Sequence, residues 1–248
     1  MSRRSVDLAD LVLTVPVKPD AERDAVVHAW RRAGGSVVCL DRFWEPPEAL
    51  PVEHVRVYGP LTFALVVAEV LGLELVGPPE DLLVHLPRWA TQRVIAVTTL
   101  GRVGPADLPA HVKPLAPKLF PATVVDEIGH LRTITTGLDD HTPVLLSEIV
   151  RFHNEVRSFV HAGRVLTHAL YEGAATPGAA DFVSAVLEET GMVCPAALDV
   201  GWTERGWAVI EANDAWGAGL NGCDASAVLP ALAAATRVHR LDRVPPGL

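Results

Sequence analysis

Strand and helix signals alternate through the first third of this sequence, then give way past a proline-rich stretch to strands that follow one another closely. A strand–helix–strand order implies a crossover and a parallel sheet, whereas closely spaced strands can close as antiparallel hairpins. The switch predicts two regions of different topology in one chain. In the first, residues 11–17 read as a strand. Asp20 can cap a helix with Val26, Trp30 and Ala33 on one face, and Gly34-Gly35 stops it. Ser36–Leu40 and residues 54–58 read as two more strands, and Pro60 opens an apolar helix over Leu61–Leu71 that Gly72 ends. Pro78, Pro79 and Pro87 punctuate the boundary, giving a small βαβ-type lobe over residues 1–80 and a second lobe over 81–248.

In the second lobe, residues 93–98, 110–113, 143–148, 155–161 and 164–169 read as extended, with Gly163 at a hairpin turn. A helix follows with Phe182, Val183, Val186, Leu187 and Thr190 on one stripe and Gly191 as its stop. Residues 196–200 and 207–212 are two further strands, and 224–236 is a last helix. The expected class is α/β overall, the second lobe being α+β with a mainly antiparallel sheet.

A formal charge of −9 disfavours a nucleic-acid or anionic-membrane partner, since both need a basic face. Any phosphate must then be held by a few placed cations or by a metal. Cys39, Cys194 and Cys223 form no C-x-x-C pair, a sparse odd count that fits a reducing cytoplasm. The start Met1-Ser2-Arg3-Arg4-Ser5 is basic, but Asp7 and Asp10 interrupt the apolar run an export signal requires. No run approaches the ~18 apolar residues of a membrane span. The histidines show no zinc spacing.

The most informative stretch is Asp199-Val200-Gly201 followed by Trp207-Ala208-Val209-Ile210-Glu211-Ala212-Asn213-Asp214. Residues two apart on a strand share a face, so Glu211 and Asn213 would project together. A short connection over 202–206 can bring Asp199 alongside. Two carboxylates and an amide oxygen make a hard-oxygen site that suits Mg²⁺, which completes its shell with water and phosphate. On spacing alone, a polar strand end facing solvent is an equal reading.

Asp199 with Glu211-Ala212-Asn213 resembles the metal triad of the ATP-grasp superfamily, and further stations follow in the same order. Val112-Lys113-Pro114 is similar to the strand-borne lysine that reaches ATP phosphates. The stretch Leu115-Ala116-Pro117-Lys118-Leu119-Phe120-Pro121 stands where the superfamily carries a glycine-rich flap, but it has no glycine, so Lys118 is expected to act as a second cation. The strand from Pro143 to Val150 resembles the linker that reads the adenine edge at Glu148, Ile149 and Val150. Glu155, seven residues on, matches the ribose carboxylate, and Ile210 would wall the base. Asn154-Glu155-Val156-Arg157-Ser158-Phe159-Val160, with Lys113-Pro114 and Asp224, is similar to the clade in which arginine replaces a nucleotide-binding lysine. That arginine is Arg88 or Arg93, with Arg93 preferred.

The resemblance covers about residues 80–236. Ala197 stands where better-known members carry arginine, which leaves substrate-side charge to Arg157 or Arg151. The resemblance implies an ATP-grasp ligase that forms a C–N bond through an acylphosphate, with ATP and Mg²⁺ as cofactors. It also implies Arg157 and Lys118 as catalytic groups and a small-molecule or peptide carboxylate as substrate. A non-catalytic ATP-binding scaffold and a phosphotransferase are the rival readings.

Gly217-Ala218-Gly219-Leu220-Asn221-Gly222, with Asp242 further on, spells a nominal dinucleotide fingerprint. Too little chain follows to complete that fold, and Glu211 and Asp214 would repel a pyrophosphate. Trp216, Gly217 and Gly219 are instead expected in a substrate loop beside the metals.

Overall fold

The computed structural model describes residues 8–239; the basic start, Asp7 and Asp242 lie outside them. The first region runs β1 (Val12–Pro16), α1 (Ala21–Arg32), β2 (Ser36–Leu40), β3 (Val55–Val57), α2 (Leu61–Leu71) and β4 (Leu73–Leu75). The first three strands form a parallel sheet in the order β2-β1-β3, the βαβ arrangement that the alternation implies. Asp20 caps α1 by accepting from the Arg23 amide at 2.9 Å. Arg23, Val26, Ala29 and Trp30 make its buried face, whereas Ala33 is its exposed C-cap rather than part of the stripe.

Two short helices, α3 (Leu82–His85) and α4 (Arg88–Thr91), bridge to the second region. There the chain makes two four-stranded antiparallel sheets instead of one. The first contains β5 (Ile95–Thr99), β6 (Ala110–Pro114), β7 (Thr123–Val125) and, after helix α5 (Ile128–Ile134), β8 (Pro143–Ser147), in the order β5-β8-β6-β7. The second contains β9 (Asn154–His161), β10 (Arg164–Glu172) and, after helix α6 (Ala179–Thr190), β11 (Ala196–Thr203) and β12 (Gly206–Asp214), in the order β10-β9-β11-β12. The β9–β10 turn holds Ala162 (φ 51°) and Gly163 (φ 71°), two successive left-handed residues as a tight primed turn requires. Val183, Val186 and Leu187 of α6 pack with Leu198, Val200 and Val209 of the second sheet.

Asp199 lies within β11 rather than at its end, because pairing with β9 and β12 extends that strand to Thr203. The expected helix over 224–236 is also shorter. Asp224 accepts from the Ala227 amide at 2.7 Å and holds a turn, so α7 spans only Leu229–Ala234. Thr236–Val238 then forms β13, which pairs antiparallel with β4. Leu229 and Leu232 share a core with Leu13, Trp30 and Phe63, so this core draws on both ends of the described chain. Among the described residues no helix is long and apolar enough to cross a membrane.

Candidate nucleotide and metal site

The three oxygen-bearing side chains converge. Asp199 on β11 is the cross-strand partner of Glu211 on β12, and Asn213 follows two residues later on the same face. The Asn213 amide nitrogen donates to Glu211 Oε1 at 2.9 Å and to Asp199 Oδ2 at 3.4 Å. From the other sheet, Lys113 Nζ donates to Glu211 Oε2 at 2.7 Å. β6 alternates buried Ala110, Val112 and Pro114 with half-buried His111 and Lys113, so pleating alone aims Lys113 across the gap.

Arg157 on β9 faces Asp199 across the strand pair and grips it bidentately, Nε to Oδ1 at 2.8 Å and Nη2 to Oδ2 at 2.6 Å. Its Nη1 donates to the Gly219 carbonyl at 2.9 Å. Asp199 is almost dry, and burial raises its pKa against the opposing pull of Arg157. Burial also acts to raise that of Glu211, but the Lys113 ammonium and the Asn213 amide outweigh it and hold the carboxyl below its usual value. Among the described residues no three His, Cys, Asp or Glu side chains gather as a metal site; beside the two carboxylates here stands an amide, which turns its nitrogen towards them.

A cavity of about 290 Å³ opens between the two sheets. Its walls include Arg93, Lys113, Glu148, Ile149, Val150, Glu155, Ile210 and Glu211, which brings together the residues expected around a nucleotide except Lys118, which lines a different cavity. Arg93, two residues ahead of β5, is 7% exposed. It donates to Ser147 Oγ at 3.1 Å and to the carbonyls of Thr91, Val209 and Ile210 at 3.0, 2.8 and 3.0 Å. It therefore ties the first sheet to β12, and burial pushes its pKa down to about 10. Arg88, the alternative, is exposed and does not line the cavity, although it pairs at 3.0 Å with Glu148, which does. The Glu148 carboxylate also accepts from the Val94 amide at 2.8 Å, which fixes the start of the linker at the cavity rim.

Lys118 and Arg157 line a second cavity of about 240 Å³, with Asn213, Trp216, Gly217 and Gly219. Glu211 borders both cavities. Lys118 has φ 65°, the left-handed conformation normally given to glycine, so the flap makes its turn with a cation at that point. Arg151 lines neither cavity; it sits in a separate groove with Thr203, Glu204 and Arg205.

The loop after β12 is seated by the first region. Glu22 in the first turn of α1 accepts from the Leu220 and Asn221 amides at 2.8 Å each. Tyr58 Oη donates to the Ala218 carbonyl at 3.1 Å. A Cβ on Gly219 would lie 2.6 Å from Glu22 Oε2, so the glycine accommodates a carboxylate of the chain itself. Turns rather than a helix follow Gly222, as rejection of the dinucleotide reading requires.

Several wall residues escaped the sequence reading, His111, Tyr171 and Phe152 among them. His111 shares a strand face with Lys113, a signal that period-two alternation could have given. Tyr171 lies beyond the point where β10 was expected to end, and Phe152 is in a loop with no periodicity.

A family model described as an ATP-grasp domain, family 2 of the arginine-for-lysine clade, matches residues 91–231. No curated protein matches the chain. Among solved structures, an ATP-grasp RimK domain protein from Sphaerobacter thermophilus is 16% identical at a TM-score of 0.56, covering 89% of this chain and 98% of that one. The D-alanine–D-alanine ligase of Bacillus anthracis complexed with ATP is 11% identical at a TM-score of 0.51, with 89% and 94% covered. The macrocyclase MdnC from Microcystis aeruginosa, bound with its precursor peptide MdnA, is 10% identical at 0.50, with 82% and 90% covered. At such identities these structures are alike in fold. The family match covers more than half of the chain and contains Lys113, Glu155, Arg157, Asp199, Glu211 and Asn213; this protein belongs to the arginine-for-lysine clade of the ATP-grasp superfamily.

Proposed function

We propose that this protein is an ATP-dependent carboxylate–amine ligase, with the nucleotide in the larger cavity and the acyl substrate in the smaller. The observation that carries the reading is the meeting of Asp199, Asn213 and Lys113 around Glu211, the residue that borders both cavities. The neighbours of like fold include a D-alanine ligase complexed with ATP and a macrocyclase bound to a precursor peptide, which favours a small-molecule or peptide carboxylate as substrate. We take residues 1–80 as a pre-ATP-grasp lobe and 81–248 as the ATP-grasp domain, with α7 and β13 docked on the former.

The donor set fits Mg²⁺. Two carboxylates and an amide are hard-oxygen ligands, and a half-turn of the Asn213 amide, isosteric with the orientation described, presents its oxygen in place of its nitrogen. Bound there, Mg²⁺ would neutralise charge on the phosphates. Lys113 is only partly buried and can exchange Glu211 for a phosphate oxygen at little cost. Arg157 holds Asp199 in place, and Lys118 brings a cation to the substrate side on an exposed turn. A substrate carboxylate oxygen attacks the γ-phosphorus as ADP leaves, giving an acylphosphate. An amine then attacks the acyl carbon, phosphate leaves, and the amine loses a proton. Positioning and charge stabilisation supply the catalysis, so no protein nucleophile is required.

Incubation with Mg-ATP and pools of amino acids and peptides tests this reading. Release of ADP and phosphate in equal amounts, dependent on both a carboxylate and an amine, is expected. ADP without phosphate would favour a phosphotransferase, and nucleotide binding without ADP a scaffold.

A further inference from the structure

The β9–β10 pairing shifts register between Leu170 and Glu172, which leaves Tyr171 as the extra residue of a bulge. Bulges re-aim side chains, and here the phenol joins Glu155 in the wall of the larger cavity. Tyr171 Oη donates to Glu155 Oε2 at 2.5 Å, and its ring lies 5.9 Å from the Arg157 guanidinium carbon. Burial, and next the bond to Glu155, raise the phenol's pKa well above its ordinary value, so the hydroxyl remains a donor to that carboxylate. A phenol that has given its single hydrogen still has lone pairs to accept with, and the carboxylate keeps Oε1. Two acceptor oxygens, Oε1 of Glu155 and Oη of Tyr171, therefore sit on hydrogen-bonded side chains of one cavity wall.

Neighbouring acceptors of this kind match a vicinal diol, which offers two hydroxyl donors one carbon–carbon bond apart. We propose that Tyr171 joins Glu155, the carboxylate already expected at the ribose, as a second acceptor for its 2′- and 3′-hydroxyls, and that Tyr171 makes the site select ribonucleotides over deoxyribonucleotides. This rests on the nucleotide reading of the cavity. Tyr171 supplies one acceptor directly and positions the other, since its hydroxyl fixes which carboxylate oxygen of Glu155 stays open.

The test is calorimetric titration of the wild-type chain and Tyr171→Phe with Mg-ATP, Mg-2′-deoxy-ATP and Mg-3′-deoxy-ATP. The wild type should bind ATP about tenfold more tightly than at least one deoxy analogue, the worth of one hydrogen bond. Tyr171→Phe should weaken ATP about tenfold, leave that analogue within about twofold, and so collapse the preference. Equal weakening of all three nucleotides would reduce Tyr171 to a structural role and overturn the proposal. So would unchanged ATP binding in Tyr171→Phe, or a wild type that binds all three alike. A wild type that binds none of them would overturn the nucleotide reading together with it.

Discussion

The two antiparallel sheets bring opposite charges to the site. Arg93, Lys113 and Lys118 come from the sheet β5-β8-β6-β7 and its connections, whereas the carboxylates Glu155, Asp199 and Glu211, with the neutral Asn213 amide, come from β10-β9-β11-β12. The second sheet also carries Arg157, and its ion pair differs from the one that crosses between sheets. Lys113 and Glu211 are 31% and 34% exposed, while Arg157 and Asp199 are 11% and 3% exposed. A pair that keeps this much contact with solvent is worth about 1 kcal/mol, so a ligand can displace it. Removing one partner of a dry pair costs about 3–5 kcal/mol, because the other charge is left buried and unmatched. The crossing pair is suited to exchange and the internal one to holding the frame.

Glu211→Gln and Asp199→Asn would break this contrast. Both should lower Mg-ATP turnover by on the order of 10² or more, read as ADP release. Glu211→Gln should keep the wild-type Tm within about 2 °C, but Asp199→Asn should lose about 3 kcal/mol in denaturant unfolding. Equal stability in the two variants would erase the distinction between the pairs.

Arg93→Lys addresses the seam between the sheets. An ammonium cannot reproduce the fork that reaches Ser147, Thr91, Val209 and Ile210 together, so about 2 kcal/mol of stability and roughly tenfold in ATP affinity should go. Arg88→Lys, exposed and outside the cavity, should change neither. If the two substitutions behave alike in unfolding and calorimetry, Arg93 does not fasten the sheets.

The smallest effect concerns His111 on the cationic sheet. Burial first, then the Arg93 and Lys113 charges, lower its pKa from 6.5. The unfolded chain then takes up this proton more readily than the folded one. The contribution to stability is present above the unfolded pKa and is lost as pH falls through it towards the folded value. His111→Gln should shrink the drop in Tm between pH 7.5 and 5.5 by on the order of 1 °C. An unchanged drop would show that His111 is not held neutral by its neighbours.

Much of this was legible before the chain was folded. Leu61–Leu71 is bounded by Pro60 and Gly72, and its helix has those limits. Ser36–Leu40 is a strand as read, and the Glu211-x-Asn213 spacing places both side chains beside Asp199. The parallel-to-antiparallel switch follows from connection lengths, which a linear sequence displays. What stayed hidden are the three- to seven-residue pieces β4, α3, α4, β7, α5 and β13, since no period is established over three residues or one to two helical turns.

By itself the sequence determined the local elements, the order of the site's stations and the types of charge at them, because caps, stops and strand alternation act over a few residues. Only tertiary structure decided that β13 returns to β4, that Glu22 packs against Gly219, that Arg157 belongs to Asp199, and that a bulge sends Tyr171 to Glu155. Each of these contacts depends on register between segments distant in the chain or on a displaced pleat. Register is settled by the packing of whole faces rather than by any residue and its neighbours.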